Sequence, residues 1–132
     1  MIKIKSGSDI EKMRIAGKIA GSALKIAGEA IKPGMSTLQI DKIIYDYICS
    51  NGATPSFLNY GGFPASACIS INDEVIHGIP NSSKIIQEGD IVSIDVGAYK
   101  DGFHGDTCKT FSVGEISDEA KKLLEVTEKS LY

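Results

Sequence analysis

The chain has 132 residues, 42% hydrophobic and 23% charged, with a net charge of −3 and no basic run. That balance suits one globular domain with a modest core, here residues 1–132, and gives no support to a nucleic-acid partner. No apolar run is long enough to span a membrane, and MIKIKSGSDIEKM lacks the apolar stretch of a signal peptide. Cys49, Cys68 and Cys108 form no CxxC pair, and an odd count without a secretion signal predicts reduced thiols and a cytoplasmic location.

Met1 to Lys5 alternates apolar and polar residues, which suits a short edge strand or an ordered arm. Ser8-Asp9-Ile10-Glu11 has the form of a capping box. The helix it opens is predicted to run to about Ile31, with an apolar stripe from Ile10, Met13 and Ile15 through Ala20 and Leu24. Gly17, Gly21 and Gly28 each weaken it by roughly 1 kcal/mol relative to Ala, a penalty that close packing against another element would offset. Lys32-Pro33-Gly34 stops it. Ser36-Thr37-Leu38-Gln39 is a second capping box, and its helix turns Leu38, Ile43, Ile44, Tyr47 and Ile48 inward before Asn51-Gly52 ends it.

Residues 53–66, ATPSFLNYGGFPAS, read as a loop in which Gly61-Gly62 permits unusual backbone angles. Its aromatics Phe57, Tyr60 and Phe63 either line a pocket or pin the loop to the core. Ala67 to Ile71 reads as a strand, Asn72-Asp73 as a turn, and Glu74 to His77 as an extended return. Gly78 leaves one face of the backbone beside His77 open, and Pro80 biases Ile79 to an extended conformation. His77, one of two histidines, is a candidate acid–base or ligand group as well as a candidate structural histidine. Near the end, Ser117 caps a helix whose first turn holds Asp118 and Glu119. Leu123, Leu124, Val126 and Leu131 carry that pattern to the last residue with no stop signal, as expected of a chain cut inside an element.

Between these lies IVSIDVGAYKDGFHGDTCKTFSV, Ile91 to Val113. Asp101-Gly102 is a two-residue hairpin signal, because a type I′ turn needs φ > 0 at both central positions. The turn pairs Lys100 with Phe103, Tyr99 with His104 and Gly97 with Asp106. Val92, Ile94, Val96, Ala98, Phe103 and Phe111 then share a core face. Ser93, Asp95, Gly97, His104, Asp106 and Cys108 share the other. Asp95 and Asp106 become diagonal neighbours, about 7–8 Å apart at the backbone. Two carboxylates so close repel unless a proton or hard cation sits between them. On spacing alone, a metal pair and two solvated surface charges both fit. A three-residue turn would send Asp106 to the opposite face. Cys49 and Cys68 read as small buried hydrophobes, whereas Cys108, on the polar face opposite Asp95, is a candidate neighbour of a site as well as a plain surface thiol.

MRIAGKIA, NYGGFPASACISINDEVIHGIP, GDIVSIDVGAYKDGFHGDT and VTEKSLY together resemble the N-terminal half of the type I methionine aminopeptidases. The resemblance implies an α/β chain forming one half of a pita-bread fold, an antiparallel sheet with helices packed on one face. It also implies two divalent metals (Co, Mn, Fe, Zn or Ni) held by two aspartates, a histidine and two glutamates. Asp95 and Asp106 match the aspartates, with Asp106 bridging. His77 matches the histidine that meets the substrate near the scissile amide. Tyr60, Phe63 and Cys68 fall where the methionine side chain is held, with Phe57 at the start of that loop. Asn72 falls near a monovalent-cation loop of largely backbone contacts.

The implied reaction is metal-assisted removal of Met from peptide or nascent-protein N-termini. Three departures stand out. The histidine ligand and both glutamates belong to a half not present in these 132 residues, so the chain alone is expected to be inactive. Gly61 replaces a larger polar residue beside the pocket, and Gly97 stands where a hydroxyl near the metal is expected. The alternative expectation is a homodimer of half-domains, with two copies of Asp95 and Asp106 meeting at a two-fold axis around a metal and little peptidase activity.

Overall fold

A computed structural model describes residues 2–131. Met1, part of the predicted N-terminal arm, and Tyr132, the last residue of the predicted helix, lie outside the described residues. In chain order the elements are α1 (Gly7–Ala30), α2 (Thr37–Ser50), β1 (Thr54–Pro55), a 3₁₀ turn (Tyr60–Gly62), β2 (Ala67–Ile71), β3 (Ile91–Lys100), β4 (Phe103–Ser112) and α3 (Asp118–Leu131).

The central strand is β3, and every pairing is antiparallel. One edge of β3 carries β4 along its whole length. The other carries β2 from Val92 to Val96 and the two residues of β1 at Ala98 and Tyr99. Val92, Ile94, Val96 and Ala98 are fully buried against Ala20, Ala23 and Ala27 of α1 and Ile40, Ile44 and Ile48 of α2. Helices therefore cover one face of the antiparallel sheet, as expected, and the face bearing Asp95 is left for the cleft.

The helix ends follow local hydrogen bonding, with one correction. The first capping box is Ser6 with Asp9, not Ser8 with Glu11. Asp9 N–H donates to Ser6 Oγ at 3.2 Å, and Ser6 N–H donates to the Asp9 carboxylate at 2.9 Å. The second box forms as read, with Ser36 and Gln39 satisfying each other's backbone N–H groups.

Other expectations fail for identifiable reasons. Residues 2–5 form no strand, and Ile2 and Ile4 are almost wholly exposed. Ile10, Met13 and Ile15 are also exposed, because the buried stripe of α1 begins only at Ala16. In α2, Ile40 is buried and Leu38 is not. Cys68 is buried but Cys49 is exposed. The loop after α2 contains β1 and a 3₁₀ turn, and Glu74–His77 is not a strand. There the Glu74 carboxylate takes the Ile71 N–H at 2.8 Å, closing a tight turn in place of strand pairing.

Of Gly17, Gly21 and Gly28 in α1, only Gly28 has a packing reason of its own. A Cβ at Gly105 of β4 would run into the main chain of Ala16 and Gly17, and one at Gly28 would run into the Phe111 ring. The helix thus lies against Gly105 of the strand at backbone distance, and nothing in the structure explains Gly17 or Gly21, where a Cβ would meet nothing within 4 Å. Gly105→Ala should lower the urea midpoint at unchanged m-value, by about 1–3 kcal/mol of overpacking. An unchanged midpoint would show that α1 does not press on β4 there.

Candidate active site

The cleft is built on the β3–β4 hairpin. Asp101 and Gly102 adopt φ of 50° and 88°, the left-handed pair a type I′ turn needs. The register follows as read: Gly97 opposes Asp106, and Asp95 opposes Cys108. β2 brings Cys68 opposite Asp95 on the other edge. Three adjacent strands therefore place Cys68, Asp95 and Cys108 in one row on the face away from the helices.

A cleft of about 600 Å³ opens over this row. Asp95, Asp106, His77, Cys68, Tyr60 and Phe63 all line it, together with Phe57. The residues singled out for catalysis, the substrate side chain and the divalent metals thus line one cavity. Asn72 does not line it. Its side chain donates to Asp90 Oδ1 at 2.8 Å and accepts from the Ile91 N–H at 3.0 Å, tying the end of β2 to the start of β3.

Gly97 decides how the aromatic loop sits. A Cβ there would lie 2.7 Å from the Phe57 ring and 2.8 Å from Ser56 Cβ. Ser56 N–H donates to the Gly97 carbonyl at 2.9 Å. The loop is therefore both pinned to the sheet and a wall of the cleft, which joins the two readings of its aromatics. Asn59, Gly61 and Gly62 all adopt positive φ and present Tyr60 outward, 81% exposed. A Cβ on Gly61 would meet nothing within 4 Å, so the cleft is open at that corner.

Electrostatics mark Asp95. Burial and then the neighbouring Asp106 carboxyl push its pKa from 3.8 to about 6, with His77 opposing the rise. Its Oδ1 is buried with no hydrogen-bond partner among the described residues. A buried, unpartnered carboxylate oxygen beside a second carboxylate is unfavourable unless a cation accepts both. The donor set is hard oxygen, which fits a divalent metal. Among the described residues no group of three or more His, Cys, Asp or Glu side chains converges to hold one. Burial, aided by both aspartates, also pushes the Cys68 thiol up to about 11, and the same causes raise Cys108. The thiols beside the carboxylates are thus held neutral.

Some contributors were not legible in the sequence. Asp41 of α2 is buried and accepts the N–H groups of Ser66 and Ala67, both at 2.9 Å, which fixes where β2 begins. Burial raises its pKa. His104 pairs with Ser56 at 2.9 Å and its ring lies 4.7 Å from that of Tyr99, bracing the aromatic loop. Ile79 also lines the cleft. Residue spacing gave no signal for Asp41, whose partners lie 25 and 26 residues away.

The family described as metallopeptidase family M24 matches residues 11–132. The chain belongs to metallopeptidase family M24. It is 52% identical over 132 residues to a methionine aminopeptidase of Clostridium acetobutylicum, covering all of this chain and 53% of that M24 relative. It is 48% identical to the methionine aminopeptidase of Escherichia coli K12, covering 99% of this chain and 50% of that protein. The crystal structure of methionine aminopeptidase from Rickettsia prowazekii superimposes with a TM-score of 0.94 at 43% identity, covering 98% of this chain and 52% of that one. The chain spans about half the length of the curated relatives it matches, and its pita-bread architecture is as expected.

The raised pKa of Asp95 sets a pH dependence. The folded state holds the proton more tightly than the unfolded state, so stability falls as pH rises from about 4 through about 6. Asp95→Asn should remove that slope and stabilise the metal-free chain at pH 7.5, on the order of 1 kcal/mol after allowing for solvent screening. Urea melts at pH 5 and pH 7.5 read this directly. A variant less stable than the parent at pH 7.5 would contradict the assignment.

Proposed function

We propose that this chain is the N-terminal half of a methionyl aminopeptidase that removes Met from the N-termini of peptides and nascent proteins in the cytoplasm. The carrying observation is the buried, unpartnered Oδ1 of Asp95 beside Asp106, at the floor of a cleft walled by aromatics. Asp95 and Asp106 are the metal ligands this chain contributes to a site for two divalent ions. When bound, such ions (Co, Mn, Fe, Zn or Ni) lower the pKa of water and polarise the scissile carbonyl.

The chain's own groups have complementary roles. Tyr60, Phe63 and Cys68 hold the methionine side chain, with Phe57 behind them. A neutral Cys68 thiol suits a thioether neighbour, and aromatic rings make favourable contacts with sulfur. His77, exposed at the cleft's edge, hydrogen-bonds the substrate beside the scissile amide. A carboxylate general base and the remaining ligands come from the second half, so this chain alone binds metal without efficient turnover.

Calorimetry with Mn²⁺ tests the ligand assignment. Binding should be abolished in Asp95→Asn with Asp106→Asn, and unchanged binding would overturn it. Hydrolysis of a Met-Ala peptide should be absent with the chain alone. It should appear when the second half of the Clostridium acetobutylicum relative is added in trans.

A second reading has its own observation. No residue of α3 is buried, and Leu123, Val126 and Leu131 face solvent. Two copies joined isologously would cover such surface and bring four aspartates together, an oxygen-only site suited to Mn²⁺, Mg²⁺ or Ca²⁺. Light scattering in EDTA and then in excess Mn²⁺ separates the readings. A discrete dimer tightened by metal favours the second, and a mass indifferent to metal favours the first.

A further inference from the structure

We propose that Ser70 is a positioning residue for His77: its buried hydroxyl and the Ile69 N–H together clamp the Gly78 peptide and so set where the imidazole stands in the cleft. The inference rests on the reading of this cleft as the substrate site and adds a residue to it.

His77 is not held by packing. Its side chain is exposed, as are Val75 and Ile76 before it. Upstream, the segment is anchored only at Glu74, which accepts the Ile71 N–H and pairs with Lys84 at 2.6 Å. Yet His77 adopts φ of 58°, a conformation a non-glycine residue keeps only where its surroundings over-determine it. The determining contact lies on the next residue. Gly78 N–H donates to Ser70 Oγ at 3.0 Å, and the Gly78 carbonyl accepts from the Ile69 N–H at 2.8 Å.

These two bonds grip one residue from both ends, on the β2 edge that β3 leaves free. They also draw it in tightly. A Cβ at Gly78 would run into the Ile69 carbonyl and come within 2.9 Å of the Ser70 Cα. One bond alone would act as a pivot, whereas two fix the orientation of the main chain. That orientation carries the preceding residue, His77, over the Asp95 row. Ser70 sits two residues beyond Cys68 on β2, so it shares the cleft-side face and reaches Gly78 without entering the apolar core.

The chain contains only two histidines, so an imidazole spectrum holds two signals and one is an internal control. In Ser70→Ala, the His77 Cε1–H signal should move toward its unstructured position, while that of His104, held by Ser56, should stay in place. Ser70→Thr, which restores the hydroxyl, should return the His77 signal. An unmoved His77 signal in a folded Ser70→Ala would overturn the proposal. In the parent chain, Gly78 amide exchange should be slower than that of exposed Val75 by on the order of 100-fold. Equal exchange would overturn the clamp even if the variant failed to fold. The Mn²⁺ calorimetry separates the two layers. A responsive His77 in a chain that binds no metal would support the clamp and remove the peptidase reading. A silent His77 in a metal-binding chain would remove the clamp alone.

Discussion

The cleft depends on the register of one hairpin. Asp101 and Gly102 both accept positive φ, so the turn takes two residues and no more. Gly97 then meets Asp106, and Asp95 meets Cys108. A slip of one residue would turn Asp106 into the helix-covered face and put Phe111 into solvent. The apolar partners on the other side resist that slip. Val92, Ile94, Val96 and Ala98 are fully buried against two helices. The same alternation that builds the core therefore sets the distance between the carboxylates. Gly105 strengthens the link, because only a residue without a Cβ lets α1 lie against the strand that carries Asp106.

The cleft then works against its own surroundings. Burial raises Asp95 to about 6 and Cys68 to about 11, and it leaves one oxygen of Asp95 without a partner. A fold optimised for stability alone would place an amide or a hydroxyl there. Retaining two repelling carboxylates in a half-closed cavity makes sense where a divalent cation completes them. The neutral thiols on either side keep the row free of further negative charge, so the charge available to a cation belongs to the two aspartates. The aromatic wall depends on the same row, since Phe57 occupies the space that a side chain at position 97 would fill.

Much of this was legible locally. The Asp-Gly turn carried the register, and the Ser36–Gln39 box carried the start of α2, because both are decided within four residues. The resemblance located His77, Tyr60, Phe63 and Cys68, which the fold brings to one cavity although they span 18 residues of chain. Failures came where a side chain replaced a backbone partner or a neighbour ran out. Ser6 took the capping role from Ser8, since Asp9 serves at the third position as Glu11 would have done. Ile10, Met13 and Ile15 keep the helical period but extend beyond the buried stripe, and a period does not say where the opposing surface ends. Glu74 ended a strand by accepting a backbone N–H. Asp41 acts across 25 residues, a link that only the folded chain displays.

As proposed, Asp95 and Asp106 act as one cation-binding pair at the cleft floor. Paramagnetic broadening of backbone amides by substoichiometric Mn²⁺ tests it without requiring turnover or a partner half. Loss of signal should centre on residues 93–97 and 104–108, reach Cys68 and His77, and spare α3 with its exposed Asp118 and Glu119. Broadening spread evenly over the surface carboxylates, or centred on α3, would contradict the account.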